Sequence, residues 1–256
     1  MKRFVLVGLP LLAAAGALAA YRPLTPPAAT RVPVVVELFT SEGCSSCPAA
    51  DAALRELEAA QSVPGVEVIA LGQHVDYWNR LGWKDPFSSA QFTSRQQAYA
   101  AGFGTGSYTP QAVVNGQYEL VGSNHAALVA AIANAARGPH ATVQLARTAG
   151  ALAVTVGALP AGTPAATVLL AITETGLATQ VGRGENAGRL LRHAAVVRAL
   201  RPLGPARGPA TFSAPLALLP GWKTENLRAV VLVQDDATRR IVGVASLPLA
   251  AGVAAN

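Results

Sequence analysis

Residues 32–39, Val-Pro-Val-Val-Val-Glu-Leu-Phe, are nearly all apolar and β-branched, the pattern of a strand buried on both faces. The period then becomes helical. Over residues 44–60, Ala50, Ala53, Leu54 and Leu57 share one face, and Pro48 falls in the first turn, where a missing N–H costs little. Val63-Pro64-Gly65 breaks this helix, and residues 66–71 read as a second strand. Strand, helix and strand in succession predict a right-handed crossover and parallel pairing. Residues 72–86 are irregular and rich in aromatic and polar side chains, and in a parallel pair this loop borders the segment that leaves the first strand. A helix over residues 88–100 follows, with Ser88 as its cap and Phe92, Gln96, Tyr99 and Phe103 at compatible spacing. Residues 111–114 and 117–121 flank Asn115-Gly116, a strong hairpin signal, and a helix over about residues 124–137 buries Leu128, Ala131, Ile132 and Ala135.

Beyond residue 138 the periodicity shortens. Seven β-like runs, at residues 142–145, 152–156, 166–172, 193–200, 211–216, 228–234 and 241–247, are separated by Gly, Pro or Asp turns and predict a β-sandwich-like unit. Residues 182–189, Gly-Arg-Gly-Glu-Asn-Ala-Gly-Arg, are a polar loop without apolar period, expected to be a solvated turn with internal ion pairs. The expected organisation is an α/β unit at 31–138 and a smaller β-rich domain at 139–256. With 256 residues, 51% of them hydrophobic, the chain can build the core that two such units need.

The start of the chain has a different character. Lys2-Arg3 precedes an apolar core and the small residues Ala17-Leu18-Ala19, which matches a secretory signal over residues 1–19. An uncleaved anchor is the rival reading, because residues 4–20 fall just short of the ~20 residues of a comfortable span. Residues 20–30 form a proline-rich leader. The expected location is therefore secreted or periplasmic, with no membrane span after signal cleavage. Loss of Lys2 and Arg3 leaves 18 basic against 14 acidic residues, a net +4 spread along the chain, which excludes a nucleic-acid footprint.

The only two cysteines, Cys44 and Cys47, stand two residues apart between the first strand and the first helix. That spacing lets them bridge if their Cα atoms stay within about 7 Å. A helix start favours the thiolate. Cys44 is then the nucleophile and Cys47 the resolving thiol, acting on protein thiols or disulfides with an unknown redox partner. No cofactor is implied. A static clip is the bland alternative. A third reading is a Cu(I)-handling protein with Cys44, Cys47 and His74 as ligands, and a fourth an envelope interaction module with a structural disulfide. His74 and Asp76 lie where a proton acceptor for Cys47 would sit. Glu42 is expected to be a surface modulator of charge, while Trp78 and Trp83 either wall the cysteine cleft or pack a long loop. His125, His140 and His193 stand alone in the pattern and receive no role.

The order β-α-β-α-β-β-α, with Cys44-x-x-Cys47 after the first strand and Thr109-Pro110 before the third, resembles the thioredoxin fold over residues 31–138. The resemblance implies a cis-proline at Pro110 that lies against the cysteines and shapes the docking groove. It also implies a buried acid on the first strand. Glu37 is one residue further from Cys44 than the family's acid, so it faces the other side of the strand. Glu42 stands where thioredoxins have an aromatic residue. A closer likeness rests on residues 37–48, His74-Val75-Asp76-Tyr77-Trp78, residues 81–85, Gly184-Glu185-Asn186 and His193. On these the chain resembles an uncharacterised secreted family, domain of unknown function 1223, with a thioredoxin-like core.

Overall fold

A computed structural model describes residues 31–148 and 150–250, and the expected signal and leader lie outside the described residues. The first half runs β1 (Val32–Thr40), α1 (Cys47–Ala60), β2 (Val66–His74), α2 (Ala90–Phe103), β3 (Gln111–Val114), β4 (Tyr118–Val121) and α3 (His125–Ala135). Then come β5 (Val143–Thr148), β6 (Ala151–Val156), β7 (Ala166–Glu174), β8 (Ala178–Gln180) and β9 (Leu190–Arg192). The chain ends with β10 (Val196–Ala206), β11 (Ala210–Pro215), β12 (Leu227–Asp235) and β13 (Ile241–Pro248). The molecule is mixed α/β, mostly strand, with few helices. Among the described residues no helix is long and apolar enough to cross a membrane.

Eight strands form one sheet in the order β13-β12-β7-β10-β2-β1-β3-β4. β1 and β2 pair in parallel from Val32↔Val66 to Thr40↔His74, so Thr40 and His74 end side by side and both following loops leave from one edge. Alternation along β1 sends Val34, Val36 and Leu38 to a core shared with Leu54, Leu57, Leu128 and Ile132 of α1 and α3. Val35 and Phe39 face the other way, into clusters with Phe92 and Tyr99 of α2. Ser89, not Ser88, caps α2 by accepting from the N–H of Gln91.

Asn115 and Gly116 turn with φ of 46° and 63°, the left-handed pair a two-residue hairpin needs. The Asn115 side chain accepts from the Val35 N–H, and its carbonyl accepts from the Ile241 N–H, which ties the hairpin to neighbouring β1 and to β13 at the opposite edge of the sheet.

Each of the seven β-like runs beyond residue 138 contains a strand. β11, β6 and β5 form a separate sheet that packs Leu152, Val154 and Val156 against Val168, Leu170, Val231 and Val233 of the large one. β10 then joins β2 in parallel at Val196↔Gly72, so the large sheet runs without a break across residue 138. This pairing covers the edge β2 would otherwise expose. The small hairpin β8-β9, which no apolar pattern announced, packs against α1 and carries the chain to His193.

Candidate functional site

Cys44 and Cys47 are joined in a disulfide with their Cα atoms 5.4 Å apart. Helix α1 begins only at Cys47, whereas the periodicity predicted a start at residue 44. Residues 41–47 instead form two successive tight turns, with the Cys44 N–H donating to the Ser41 carbonyl and the Cys47 N–H to the Cys44 carbonyl, both at 3.2 Å. Pro48 sits at the start of the helix, where it suits the first turn. The Ser46 hydroxyl lies 3.4 Å from Cys44 Sγ rather than capping α1. Both cysteines are only 1% exposed, while Ser45 and Ser46 are open to solvent.

The expected solvated turn at residues 182–189 is a strap across this loop. Asn186 is fully buried and donates from Nδ2 to the carbonyls of Glu42 and Cys44, each at 2.9 Å. Its Oδ1 accepts from Arg189 at 2.7 Å. Beside it, Glu185 Oε2 accepts from the Ser45 N–H at 3.0 Å, and that hydrogen bonding lowers the Glu185 pKa. The loop is polar because its partners are backbone groups 140 residues away, which local sequence cannot reveal. Gly184 and Gly188, both with φ of +79°, permit the tight return.

Beneath the cysteine loop lies a buried polar cluster. Glu42, expected at the surface, is 1% exposed. Its Oε1 is 2.9 Å from His193 Nε2, and its Oε2 accepts from Trp83 Nε1 at 2.7 Å. Burial is tolerable because three directed partners, counting Asn186 at its carbonyl, replace water. His193, which the pattern left alone, is central. Its Nδ1 is 3.9 Å from Asp51 Oδ1 of α1, and its ring stands edge-on to that of His74 with centroids 4.8 Å apart. Burial lowers the His193 pKa, but hydrogen bonds and charge from Asp51 and Glu42 outweigh it and raise it to about 9.

His74 ends β2, with Nδ1 2.7 Å from Asp85 Oδ2. Asp85 Oδ2 also accepts from the Glu42 N–H at 2.9 Å. Burial raises the Asp85 pKa, but the His74 charge and these hydrogen bonds win, and the carboxyl titrates below its ordinary range. Thr40, ending β1, donates its hydroxyl to Asp51 Oδ2 at 2.8 Å. Among the described residues Asp51 Oδ1 and His74 Nε2 are buried without a hydrogen-bond partner.

The remaining sequence candidates lie on the neighbouring segments. The Thr109-Pro110 bond is cis. Trp78 Nε1 donates to Thr109 Oγ1 at 2.8 Å, joining the aromatic loop to the Pro110 segment, and Trp83 closes over Glu42. Asp76 bonds Thr93 at the start of α2. Glu37, on the α2 side of β1, binds Arg95 through both carboxylate oxygens at 2.6 and 3.0 Å and accepts from Tyr99 and Gln73. It belongs to a separate buried network.

A family model described as "Protein of unknown function (DUF1223)" matches residues 35–234. Among solved structures, the chain is similar to that of protein AGR_C_4864 from Agrobacterium tumefaciens. The two share 30% identity with a TM-score of 0.71, over 87% of this chain and 97% of that one. A domain of the outer membrane lipoprotein Omp28 from Porphyromonas gingivalis is 16% identical over 43% of this chain and 94% of its own. Its TM-score of 0.24 is too low to indicate a shared fold. No curated protein matches the chain.

Proposed function

The chain belongs to the DUF1223 family of proteins of unknown function, and within it we propose an exported thiol–disulfide oxidoreductase with a thioredoxin-like core, working through Cys44 and Cys47. The observation that carries this reading is the Cys44–Cys47 bridge at the mouth of α1, on the edge where β1 and β2 both end. The first N–H groups of a helix are unpaired and sit at the positive end of its dipole, so a thiolate formed there is favoured.

In the reduced protein the Cys44 thiolate attacks a client disulfide. A Cys44–client S–S bond forms and the client's first sulfur leaves as thiolate. Cys47, deprotonated, then attacks Cys44 Sγ, which restores the Cys44–Cys47 bond and releases the client's second sulfur. Two electrons pass to the client, which takes up two protons, and the reverse sequence oxidises a client dithiol. Pro110 and the adjoining Trp78 segment supply the docking wall in this reading. An export signal at residues 1–19 fits an oxidising compartment in which such a pair cycles.

The test is turnover of a model protein disulfide by the reduced full chain. Cys44→Ser abolishes turnover, and Cys47→Ser traps the mixed disulfide. Turnover that survives Cys44→Ser overturns the assignment.

A further inference from the structure

We propose that Asp51, His74 and His193 form a binding site for a divalent transition-metal ion of the zinc class, distinct from the disulfide and holding the ion through nitrogen and oxygen alone. In each of the three residues one polar atom is fixed by a neighbour and the other is turned inward. His74 Nδ1 is held by Asp85, which accepts two hydrogen bonds on the same oxygen, so the imidazole is the donor and buried Nε2 is left without a partner. Glu42 holds His193 Nε2, leaving Nδ1 towards Asp51, where a bound cation takes the place of the Nδ1 proton. The Thr40 hydroxyl occupies Asp51 Oδ2, leaving Oδ1. One ligand atom from each residue lies within 4.8 Å of the others, and all three residues are buried.

A carboxylate partner on the far nitrogen is the usual way proteins aim a histidine at a metal, and here both histidines have one. Two of the inward atoms, Asp51 Oδ1 and His74 Nε2, lack a hydrogen-bond partner among the described residues. Orphaned buried polar atoms are destabilising unless something binds them. A cation bonded at 2.0–2.2 Å to each satisfies them together.

Tetrahedral coordination at those lengths places ligand atoms about 3.3 Å apart. His193 Nδ1 and Asp51 Oδ1, at 3.9 Å, need only small rotations to close. Imidazole and carboxylate suit zinc or iron(II), not Cu(I), which prefers thiolates. The alternative Cu(I) set of Cys44, Cys47 and His74 calls for free thiolates, whereas the two sulfurs are bonded to each other here. Three protein ligands leave further positions open, the arrangement of a working rather than purely structural metal. His193 also lines a cavity of about 420 Å³ walled by Arg55, Glu58, Thr175 and Asn226.

The test is equilibrium dialysis of the oxidised, chelator-stripped full chain against Zn²⁺, with metal content and thermal unfolding as readouts. One equivalent is retained and the melting temperature rises. Since oxidised protein has no thiols, retention there separates this site from any cysteine site and leaves the redox reading untouched. The near-isosteric Asp51→Asn weakens binding by more than about 100-fold, and Asp85→Asn, which positions His74 without being a ligand, by about 10–100-fold. Failure of the oxidised wild type to retain zinc overturns the site, and so does retention that Asp51→Asn leaves unchanged.

Discussion

Replacement of Asn186 by alanine is expected to speed reduction of the Cys44–Cys47 bond without touching either cysteine. Both cysteines are about 1% exposed, so an external thiol reaches them only when their loop opens, and residues 182–189 are hydrogen-bonded to that loop. Two hydrogen bonds of 2.9 Å, from Asn186 Nδ2 to the Glu42 and Cys44 carbonyls, hold that strap at its centre. A buried hydrogen bond contributes a net of about 1 kcal/mol, and a carbonyl left without a donor loses about 1–3 kcal/mol. Water entering the shortened side chain's place recovers part of this, so about 2 kcal/mol is a moderate figure for the loosened closure. At 1.4 kcal/mol per decade, opening becomes about 30-fold more populated, and a reduction that follows rapid opening accelerates by the same factor. The assay is reduction by dithiothreitol under native conditions, quenched with a maleimide and read by mass. Glu185→Gln, which weakens one exposed contact to the Ser45 N–H, gives a smaller acceleration in the same direction. A rate for Asn186→Ala within twofold of wild type would show that the disulfide is reached by another route.

Three further expectations concern the scaffold. Glu37→Gln leaves the Arg95 guanidinium buried without its counter-charge and costs about 3–5 kcal/mol in urea unfolding, while Glu37→Leu with Arg95→Met recovers much of that. A loss below 1 kcal/mol would count against the network. Burial raises the Glu58 pKa above 4.5, with Arg228 and the Ala70 backbone only partly opposing it. A raised carboxyl contributes stability below its unfolded pKa that is lost as pH rises through the folded value. Glu58→Gln is therefore at least as stable as wild type at pH 7, with the pH-dependent part of the difference gone below about pH 4. A difference that is flat across that range refutes it. Gly116→Ala forces a left-handed φ of 63° on alanine and drives its Cβ into the Arg239 backbone, costing more than about 1 kcal/mol by thermal denaturation. An unchanged melting temperature would contradict that crowding.

The elements were legible because their signals are local. Val32 to Phe39 reads as a buried strand, Pro48 opens a helix and Asn115-Gly116 turns a hairpin, each within a few residues. The strands after residue 138 declared themselves by alternation between turns, although the two-residue link of β10 to β2 that merges them into the large sheet did not. Cys44 and Cys47 stood out for the same reason, since two residues of spacing suffice to let them bridge.

The candidate site was legible only in part. Glu42 read as a surface charge, and a charge is solvated unless partners replace water, but those partners are Trp83, Asn186 and His193, up to 151 residues away. Asn186 and His193 stood in the family likeness, but neither pattern nor spacing gave them a role. Their meaning comes from the strap and the small β8-β9 hairpin folding back over α1.

The sequence by itself determined most of the strands and helices, the cysteine pair and the edge on which β1 and β2 both end, because a strand–helix–strand succession fixes parallel pairing. Only the tertiary structure decided that the disulfide is closed over and that Asp51, His74 and His193 meet beneath it. Convergence of side chains from distant segments is a property of sheet register and loop return, and no window of the chain contains it.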